Sequence, residues 1–196
     1  MTELLIIADQ TPMDERQGWL SALAEERRLS DNTLDAYERD TRQFLAFLTQ
    51  HIAAPAKLTD IGALRPADLR GFLAARRRDG AGSRTLGRGL AGLRSFLRHL
   101  ERKGLANAAG ATAVRSPKQP KSLPKPLSDK QAIAVVDAHE QLAEEPWIRT
   151  RNAAVLTLLY GCGLRISEAL SLTPEDFAGG PTSLRITGKG DKTRIV

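Results

Sequence analysis

Residues 83–104 read SRTLGRGLAGLRSFLRHLERKG, and this stretch decides the fold that we predict for the first half of the chain. On a helical projection its large apolar side chains fall on one side and its arginines on the opposite side. The apolar set comprises Leu86, Leu90, Leu93, Phe96, Leu97 and Leu100. Lys103 followed by Gly104 is typical of a helix C-terminus. The pattern predicts a helix that packs its leucine side into an α-helical core.

Three further helical patterns precede this one. The first follows Asp14, the second begins after an N-cap at Ser30 and runs toward Pro55, and the third lies between Pro66 and Gly80. Their spaced apolar residues include Trp19, Leu20, Leu23, Leu34, Tyr37, Phe44, Leu45, Phe47 and Leu48. We therefore predict a tail over 1–13 and a four-helix bundle over 14–104.

The arginines of the last helix are candidates for binding nucleic acid. They are Arg84, Arg88, Arg94, Arg98 and Arg102, and the small residues Gly87, Ala91 and Ser95 lie between them on the same side. Long cations above a shallow floor can approach a duplex closely. An ordinary solvated helix face is the alternative, although such faces usually mix acids with bases.

Charge along the chain is uneven. Residues 82–125 hold ten basic residues and one acid, Glu101, whereas the rest of the chain sums to −3 within a total of +6. A basic stretch on a mildly acidic body is typical of a protein that binds a polyanion, with a solvated lysine-rich linker as the alternative. Lys121 and Lys125 are the candidate DNA-binding residues at its end.

Several classes of protein are excluded by composition. The single cysteine, Cys162, and three scattered histidines offer neither a disulfide framework nor a metal site. No stretch approaches the ~18 apolar residues that a membrane helix needs. We expect a cytoplasmic protein without membrane insertion, metal or other cofactor.

Beyond the bundle, the composition predicts a linker and a second region. Residues 105–126 hold four prolines among small and basic residues, which predicts an extended linker. Residues 127–196 predict helices over 128–139 and 147–160, the second buried, then a short helix over 166–172. A β-hairpin around residues 188–191 completes this α+β region.

Within that region, two motifs suggest a site for an oxyanion. Arg165 and Glu168 lie one helical turn apart, so that the carboxylate can orient the guanidinium toward a phosphate. Gly188 and Gly190 flank Lys189 and let the backbone and the lysine approach a ligand. From the residues alone, a structural salt bridge and a solvated hairpin tip remain equally good interpretations.

Taken together, these motifs resemble those of a known family. Residues 163–168 (GLRISE) and 187–192 (TGKGDK) are similar to the first two motifs of tyrosine site-specific recombinases. Residues 29–40 (LSDNTLDAYERD) and 94–97 (RSFL) resemble the SAM-like core-binding domain of the bacterial Xer members. Residues 121–127 (KSLPKPL) are similar to their interdomain linker, and the XerC type is the closer match.

The resemblance implies a two-domain clamp that grips a DNA half-site and needs no metal or nucleotide. In the family a tyrosine attacks a phosphodiester and forms a 3′-phosphotyrosyl linkage. Carried over residue by residue, Arg165 is implied as the first phosphate-binding arginine, Lys189 as the hairpin general acid, and Glu168 as a support behind Arg165.

One departure from the family is large. The chain contains no His-x-x-Arg motif, and Tyr37 and Tyr160, which we expect to serve in packing, are its two tyrosines. We expect a C-terminally truncated catalytic domain, no nucleophile in this chain, and an inactive fragment.

Three functional hypotheses remain open at this stage. The first is a XerC-type recombinase that resolves chromosome dimers at cell division, in a heterotetramer with a XerD-like recombinase and under an FtsK-like translocase. The second is an integrase of a phage or mobile element, and the third is a catalytically inactive DNA-binding protein.

Overall fold

The computed structural model describes residues 7–107, 109–119, 125–142, 145–180, 182–188 and 192–196, with side chains except at 111, 112 and 136–142. It divides into two compact units, Met1–Lys121 and Ser122–Val196. The helices are α1 (Gln10–Glu25), α2 (Asp31–Ile52), α3 (Leu58–Gly62), α4 (Pro66–Arg78), α5 (Ser83–Arg102), α6 (Ala109–Thr112), α7 (Asp129–Leu142), α8 (Pro146–Gly161) and α9 (Ile166–Leu170), followed by a 3₁₀ turn at Pro174–Phe177 and the strands β1 (Arg185–Thr187) and β2 (Thr193–Ile195). The mainly α fold with one small hairpin confirms the predicted class.

The first unit is built around the predicted leucine side of α5. All six of its large apolar residues are buried, together with aromatic residues from α1, α2 and α4. These aromatic residues are Trp19, Phe44 and Phe72, and Leu69 of α4 joins them in the core. The four long helices therefore form one core, because each places its apolar side toward the others.

Most helix ends lie where the sequence predicts them. Ser30 is the N-cap of α2, and Pro66 is the first residue of α4. Gly80 and Gly104 follow α4 and α5 with φ angles of +88° and +71°, which glycine adopts without steric cost. The five-residue helix α3 was not predicted, because it is too short to show periodicity.

The expected tail over 1–13 needs correction. Helix α1 begins at Gln10 and is capped by the Asp9 side chain, which accepts a hydrogen bond from the Gln10 backbone. Ala8 is buried, and the Thr49 hydroxyl donates to the Ile7 carbonyl at 2.7 Å. Residues 7–13 thus belong to the bundle. The start of α1 was not predicted because Pro12, which lies in its first turn, is a residue that usually interrupts helices.

The expected extended linker over 105–126 also needs correction in its first part. Val114 is buried against the bundle core, and the Arg94 guanidinium donates to the Val114 carbonyl and to the Ser116 hydroxyl. Gly110 packs closely against the backbone of Leu64, just before α4. A Cβ on Gly110 would lie 2.5 Å from the Leu64 carbonyl oxygen. Residues 125–128 are exposed, and 120–124 lie outside the described residues.

The second unit has a small core of its own. Leu164, Ala169 and Ile186 are buried together, and residues of α8 pack against them. The hairpin strands pair antiparallel with Ile186 opposite Arg194. Helix α8 was expected to be buried, but no described residue of it is, and Trp147 is 61% exposed. Three of its apolar residues, Val155, Leu158 and Leu159, are partly buried against this core.

In the part of the chain that the structure describes, no helix combines the length and the hydropathy that a membrane span requires.

Candidate nucleic-acid interface and phosphate site

The exposed side of α5 carries fewer unpaired cations than the sequence suggested. Arg84, Arg98 and Arg102 are exposed, and Ala91 lies exposed between them. The side chains of Arg84 and Arg98 form no ion pair or hydrogen bond with any other described residue. We call the exposed Arg84, Arg98 and Arg102 the α5 stripe. In this stripe the exposed Ala91 lies between the long arginine side chains, which is the arrangement of small and basic residues that the helical projection predicted.

Arg88 has a protein partner. Its Nε and Nη2 donate to the two carboxylate oxygens of Asp40 at 3.0 and 3.1 Å. The Asp40 side chain is only 7% exposed, whereas that of Arg88 is 42% exposed. The hydrogen bonds to this carboxylate raise the pKa of Arg88. A nearly buried carboxylate on α2 thus holds the Arg88 guanidinium at two nitrogens, and the role of Arg88 in DNA binding stays a prediction.

Arg94 is engaged as well. It binds the Val114 carbonyl and lies 3.3 Å from the Ser116 hydroxyl, so it fixes residues 113–119 against α5. This segment brings the exposed Arg115 and Lys118 to the same helix. The amide of Gln119 lies 3.5 Å from where a Cβ of Gly87 would stand, which covers one of the expected small residues.

On its other flank the α5 stripe borders a groove of about 360 Å³. Arg27 from the end of α1 lies there with Arg98 and Arg102, above Ala91 and Ser95. The Trp19 Nε1 donates to the Ser95 hydroxyl at 3.3 Å, so that Ser95 also anchors α1. Arg27 is a cation of this surface that the sequence pattern of α5 alone did not reveal.

Among the linker lysines, Lys125 is exposed, and Lys121 lies outside the described residues. The His99 side chain is 12% exposed and lies 3.6 Å from a Glu15 oxygen, and burial lowers its pKa. His99 therefore packs between α1 and α5 rather than on the surface.

The second site is built on a nearly buried carboxylate. Arg165 is the N-cap residue of α9, and Glu168 follows in its first turn. The Glu168 carboxylate accepts a hydrogen bond from the Arg165 backbone N–H at 2.8 Å and one from Arg165 Nη1 at 2.7 Å. The Glu168 side chain is 4% exposed and that of Arg165 is 68% exposed. The predicted pairing within residues 163–168 is confirmed.

The hairpin contributes a second guanidinium to Glu168. Arg194 of β2 donates from Nη1 and Nη2 to the two carboxylate oxygens at 3.0 and 2.8 Å. These charge-assisted bonds, with those from Arg165, hold the pKa of Glu168 far below its usual range, and they raise the pKa of Arg194. Sequence reasoning left Arg194 in a solvated hairpin. No sequence signal marked Arg194, because its place opposite Ile186 follows from the strand register.

Gly188 brings the two sequence motifs together. A Cβ at this position would lie 2.8 Å from Glu168 Oε1 and 3.6 Å from the Nη1 atoms of Arg165 and Arg194. The hairpin backbone therefore rests directly on the carboxylate, as a glycine permits. Lys189, the predicted general acid, lies outside the described residues, and its role stays a prediction.

The two tyrosines have different environments. Tyr37 is half-buried, and its ring stacks on Trp19 with centroids 5.8 Å apart, as expected for a packing residue. Tyr160 is 51% exposed, which contradicts the expected packing role. Its hydroxyl donates to Asp129, and this hydrogen bond raises the pKa of Tyr160.

Curated relatives match this chain along its whole length. It is 75% identical over 196 residues to tyrosine recombinase XerC of Rhizobium meliloti strain 1021, and 68% identical to tyrosine recombinase XerC of Agrobacterium fabrum strain C58. The chain is therefore similar, over its full length, to tyrosine recombinases of the XerC type. It spans 62% of the length of each of these two relatives.

Two further comparisons concern the first domain and the fold. Residues 17–104 match the phage integrase N-terminal SAM-like domain. The XerH recombinase in a post-cleavage complex with a palindromic difH substrate shares the fold, with a TM-score of 0.66 and 18% identity over 98% of this chain and 58% of that one. The same recombinase in a pre-cleavage complex gives a TM-score of 0.61 at 17% identity, over 99% and 60% of the two chains.

Proposed function

We propose that this chain acts in site-specific DNA recombination of the XerC type. In this proposal the first unit binds duplex DNA through the α5 stripe, and Arg165 binds the phosphate at which a strand is cut and rejoined. The observation that carries the proposal is that Arg165 and the backbone at Gly188 both lie against the Glu168 carboxylate. The Arg165 side chain is nevertheless 68% exposed.

The chemistry follows from charge. A pentavalent phosphoryl transition state gathers negative charge on its nonbridging oxygens, and a preoriented guanidinium stabilises that charge. Glu168 orients the guanidinium of Arg165 before substrate arrives. Lys189 is the proposed general acid for the departing 5′-oxygen, and a tyrosine nucleophile would form the 3′-phosphotyrosyl intermediate.

The finer biological role is also a proposal. The names and identities of the two relatives support the XerC type. The resemblance of the sequence motifs to that type extends the proposal to resolution of chromosome dimers at cell division in the cytoplasm. On the same ground we include a XerD-like recombinase as partner in a heterotetramer and an FtsK-like translocase as regulator. The phage integrase description of the matched domain supports integration of a mobile element as the second candidate.

Duplex binding tests the first unit of the proposal. Fluorescence anisotropy with a labelled duplex should give an affinity that falls steeply with salt, since each neutralised phosphate contributes a slope of about 0.9. Arg98→Ala should weaken binding severalfold and lower the slope by roughly one. Arg65→Ala removes an exposed guanidinium outside the α5 stripe and should leave both values nearly unchanged.

Two results would contradict this assignment. Binding that does not respond to salt would exclude phosphate contacts as its source. Equal losses for Arg98→Ala and Arg65→Ala would show that general charge, rather than the α5 stripe, attracts the duplex.

A further inference from the structure

Arg194 lies in β2 and pairs with the carboxylate of Glu168. Both of its terminal nitrogens donate to Glu168, and its side chain is 37% exposed. The strand register places it opposite Ile186, which belongs to the core of this unit. The hairpin therefore places the Arg194 guanidinium against the Glu168 carboxylate, which also orients Arg165.

The two arginines share one carboxylate unequally. Arg165 uses a single side-chain nitrogen, on Oε1, whereas Arg194 binds Oε1 and Oε2 together. Arg165 thus keeps most of its guanidinium in solvent. One carboxylate and two guanidiniums leave a net charge of +1 at this site, and the exposed Arg165 presents it.

Without Arg194 the balance would change. A carboxylate one helical turn from an arginine can accept a bidentate pair, and such a pair is neutral as a whole. Glu168 would then accept two hydrogen bonds from the Arg165 guanidinium and neutralise its positive charge. Gly188 lies against this carboxylate, since a Cβ on Gly188 would stand 2.8 Å from Glu168 Oε1.

We propose that Arg194 is a positioning residue, which occupies Glu168 so that Arg165 remains available to a phosphate. The inference rests on the proposed role of Arg165 in phosphate binding. It assigns to the hairpin a function beyond carrying Lys189, because the hairpin also sets the charge that Arg165 offers to its ligand.

The test is a titration of the 196-residue chain with inorganic phosphate, followed by the guanidinium Nε–Hε signal of Arg165 in NMR spectra. The signal is assigned from its loss in Arg165→Lys, and sodium chloride of matched ionic strength serves as the reference titration. The wild-type signal should shift with phosphate. Arg194→Met should weaken the affinity roughly fivefold, as expected when one nearby positive charge is removed from a solvated site.

A double variant separates positioning from a merely structural role. Glu168→Gln combined with Arg194→Met should bring the affinity back to within about twofold of the wild type, because a neutral glutamine does not neutralise Arg165. The matched control is Arg185→Met, which removes an exposed cation from β1 of the same hairpin. It should not alter the signal's response.

Each outcome decides the proposal. An unchanged affinity in Arg194→Met overturns the positioning role while the role of Arg165 stands. Loss of binding that the double variant does not restore also overturns it. If Arg194→Met does not fold, Arg194→Gln keeps a donor to Glu168 and should show the same loss, and an unchanged affinity there overturns the proposal. No response of Arg165 in the wild type overturns both this inference and its proposed phosphate role.

Discussion

At the scale of single residues, Glu168 organises the candidate phosphate site. Its carboxylate is almost inaccessible to water and receives hydrogen bonds from a backbone N–H and from two guanidiniums. A charge in such a place is stable only when it is fully paired, because desolvation otherwise favours the neutral form. Glu168 is therefore ionised at neutral pH and fixes both arginines.

Replacing Glu168 should have a pH-dependent effect on stability. Its pKa is 4.5 in the absence of interactions and lower in the folded chain. The stabilisation is therefore fully present above about pH 4.5 and is lost as pH falls through the folded pKa. Glu168→Gln should destabilise the second unit at pH 7, and the difference from the wild type should shrink as the solution is made more acidic than pH 4.5.

Amide hydrogen exchange at matched pH values measures this effect. The reporters are the Gly188 N–H, which donates to the Lys192 carbonyl, and the Val196 N–H, which donates to the Leu184 carbonyl. Glu145→Gln changes an exposed carboxylate at the start of α8 and serves as the control. A difference between wild type and Glu168→Gln that grows in acid would contradict the ionised, doubly paired carboxylate.

At the scale of elements, α5 has two functions on different sides. Its leucines form the bundle core, and its exposed arginines form the proposed DNA-binding surface. Two glycines on a third side let α2 approach closely. A Cβ at Gly92 would lie 2.8 Å from Cδ1 of Tyr37, and one at Gly89 would lie 3.5 Å from Cγ of Asp40. The close approach is what places Asp40 beside Arg88.

Alanine at these helical glycines should distinguish close packing from open surface. Gly92→Ala should destabilise the first unit by about 1–2 kcal/mol, since overpacking against a ring stacked on Trp19 outweighs the gain in helix propensity. Gly18→Ala in α1 is the matched control, because no atom lies within 4 Å of its Cβ position. It should stabilise by roughly 0.5–1 kcal/mol. Urea denaturation followed by Trp19 fluorescence measures both, and a neutral Gly92→Ala would show that α2 yields without cost.

At the scale of the whole molecule, the chain has two units with separate cores, and the proposed function assigns a different task to each. The first holds the α5 stripe, and the second holds the three-residue cluster of Arg165, Glu168 and Arg194. Binding to many phosphates and reaction at one of them make different demands. The first needs several exposed cations, whereas the second needs one guanidinium held in a fixed orientation.

The positions of the two tyrosines predict that the 196-residue polypeptide forms no covalent adduct with DNA. The Tyr37 ring is stacked on Trp19, and the Tyr160 hydroxyl is hydrogen-bonded to Asp129. Incubation with a nicked duplex that traps phosphotyrosyl intermediates, followed by denaturing electrophoresis, should show only free DNA. A trapped species that disappears in Tyr160→Phe, with Tyr37→Phe as the comparison, would identify Tyr160 as a nucleophile and contradict the prediction.

Much of the fold was predictable because its signals are local. The apolar spacing of α5, the proline that begins α4 and the glycines that follow α4 and α5 act within a few residues of the chain. The start of α1 and the packing of Val114 were not predictable in this way. Each depends on distant partners, such as the Thr49 hydroxyl for residue 7 and the Arg94 guanidinium for residue 114.

The sequence by itself determined the helical bundle, the basic character of α5 and the pairing of Arg165 with Glu168, because periodicity and helical spacing govern all three. Only the tertiary structure decided which arginines pair with carboxylates from distant parts of the sequence. Arg88 meets Asp40 across 48 positions of sequence, and Arg194 meets Glu168 across 26. Such contacts are fixed by how helices and strands pack, since a guanidinium binds whichever carboxylate the fold brings within reach.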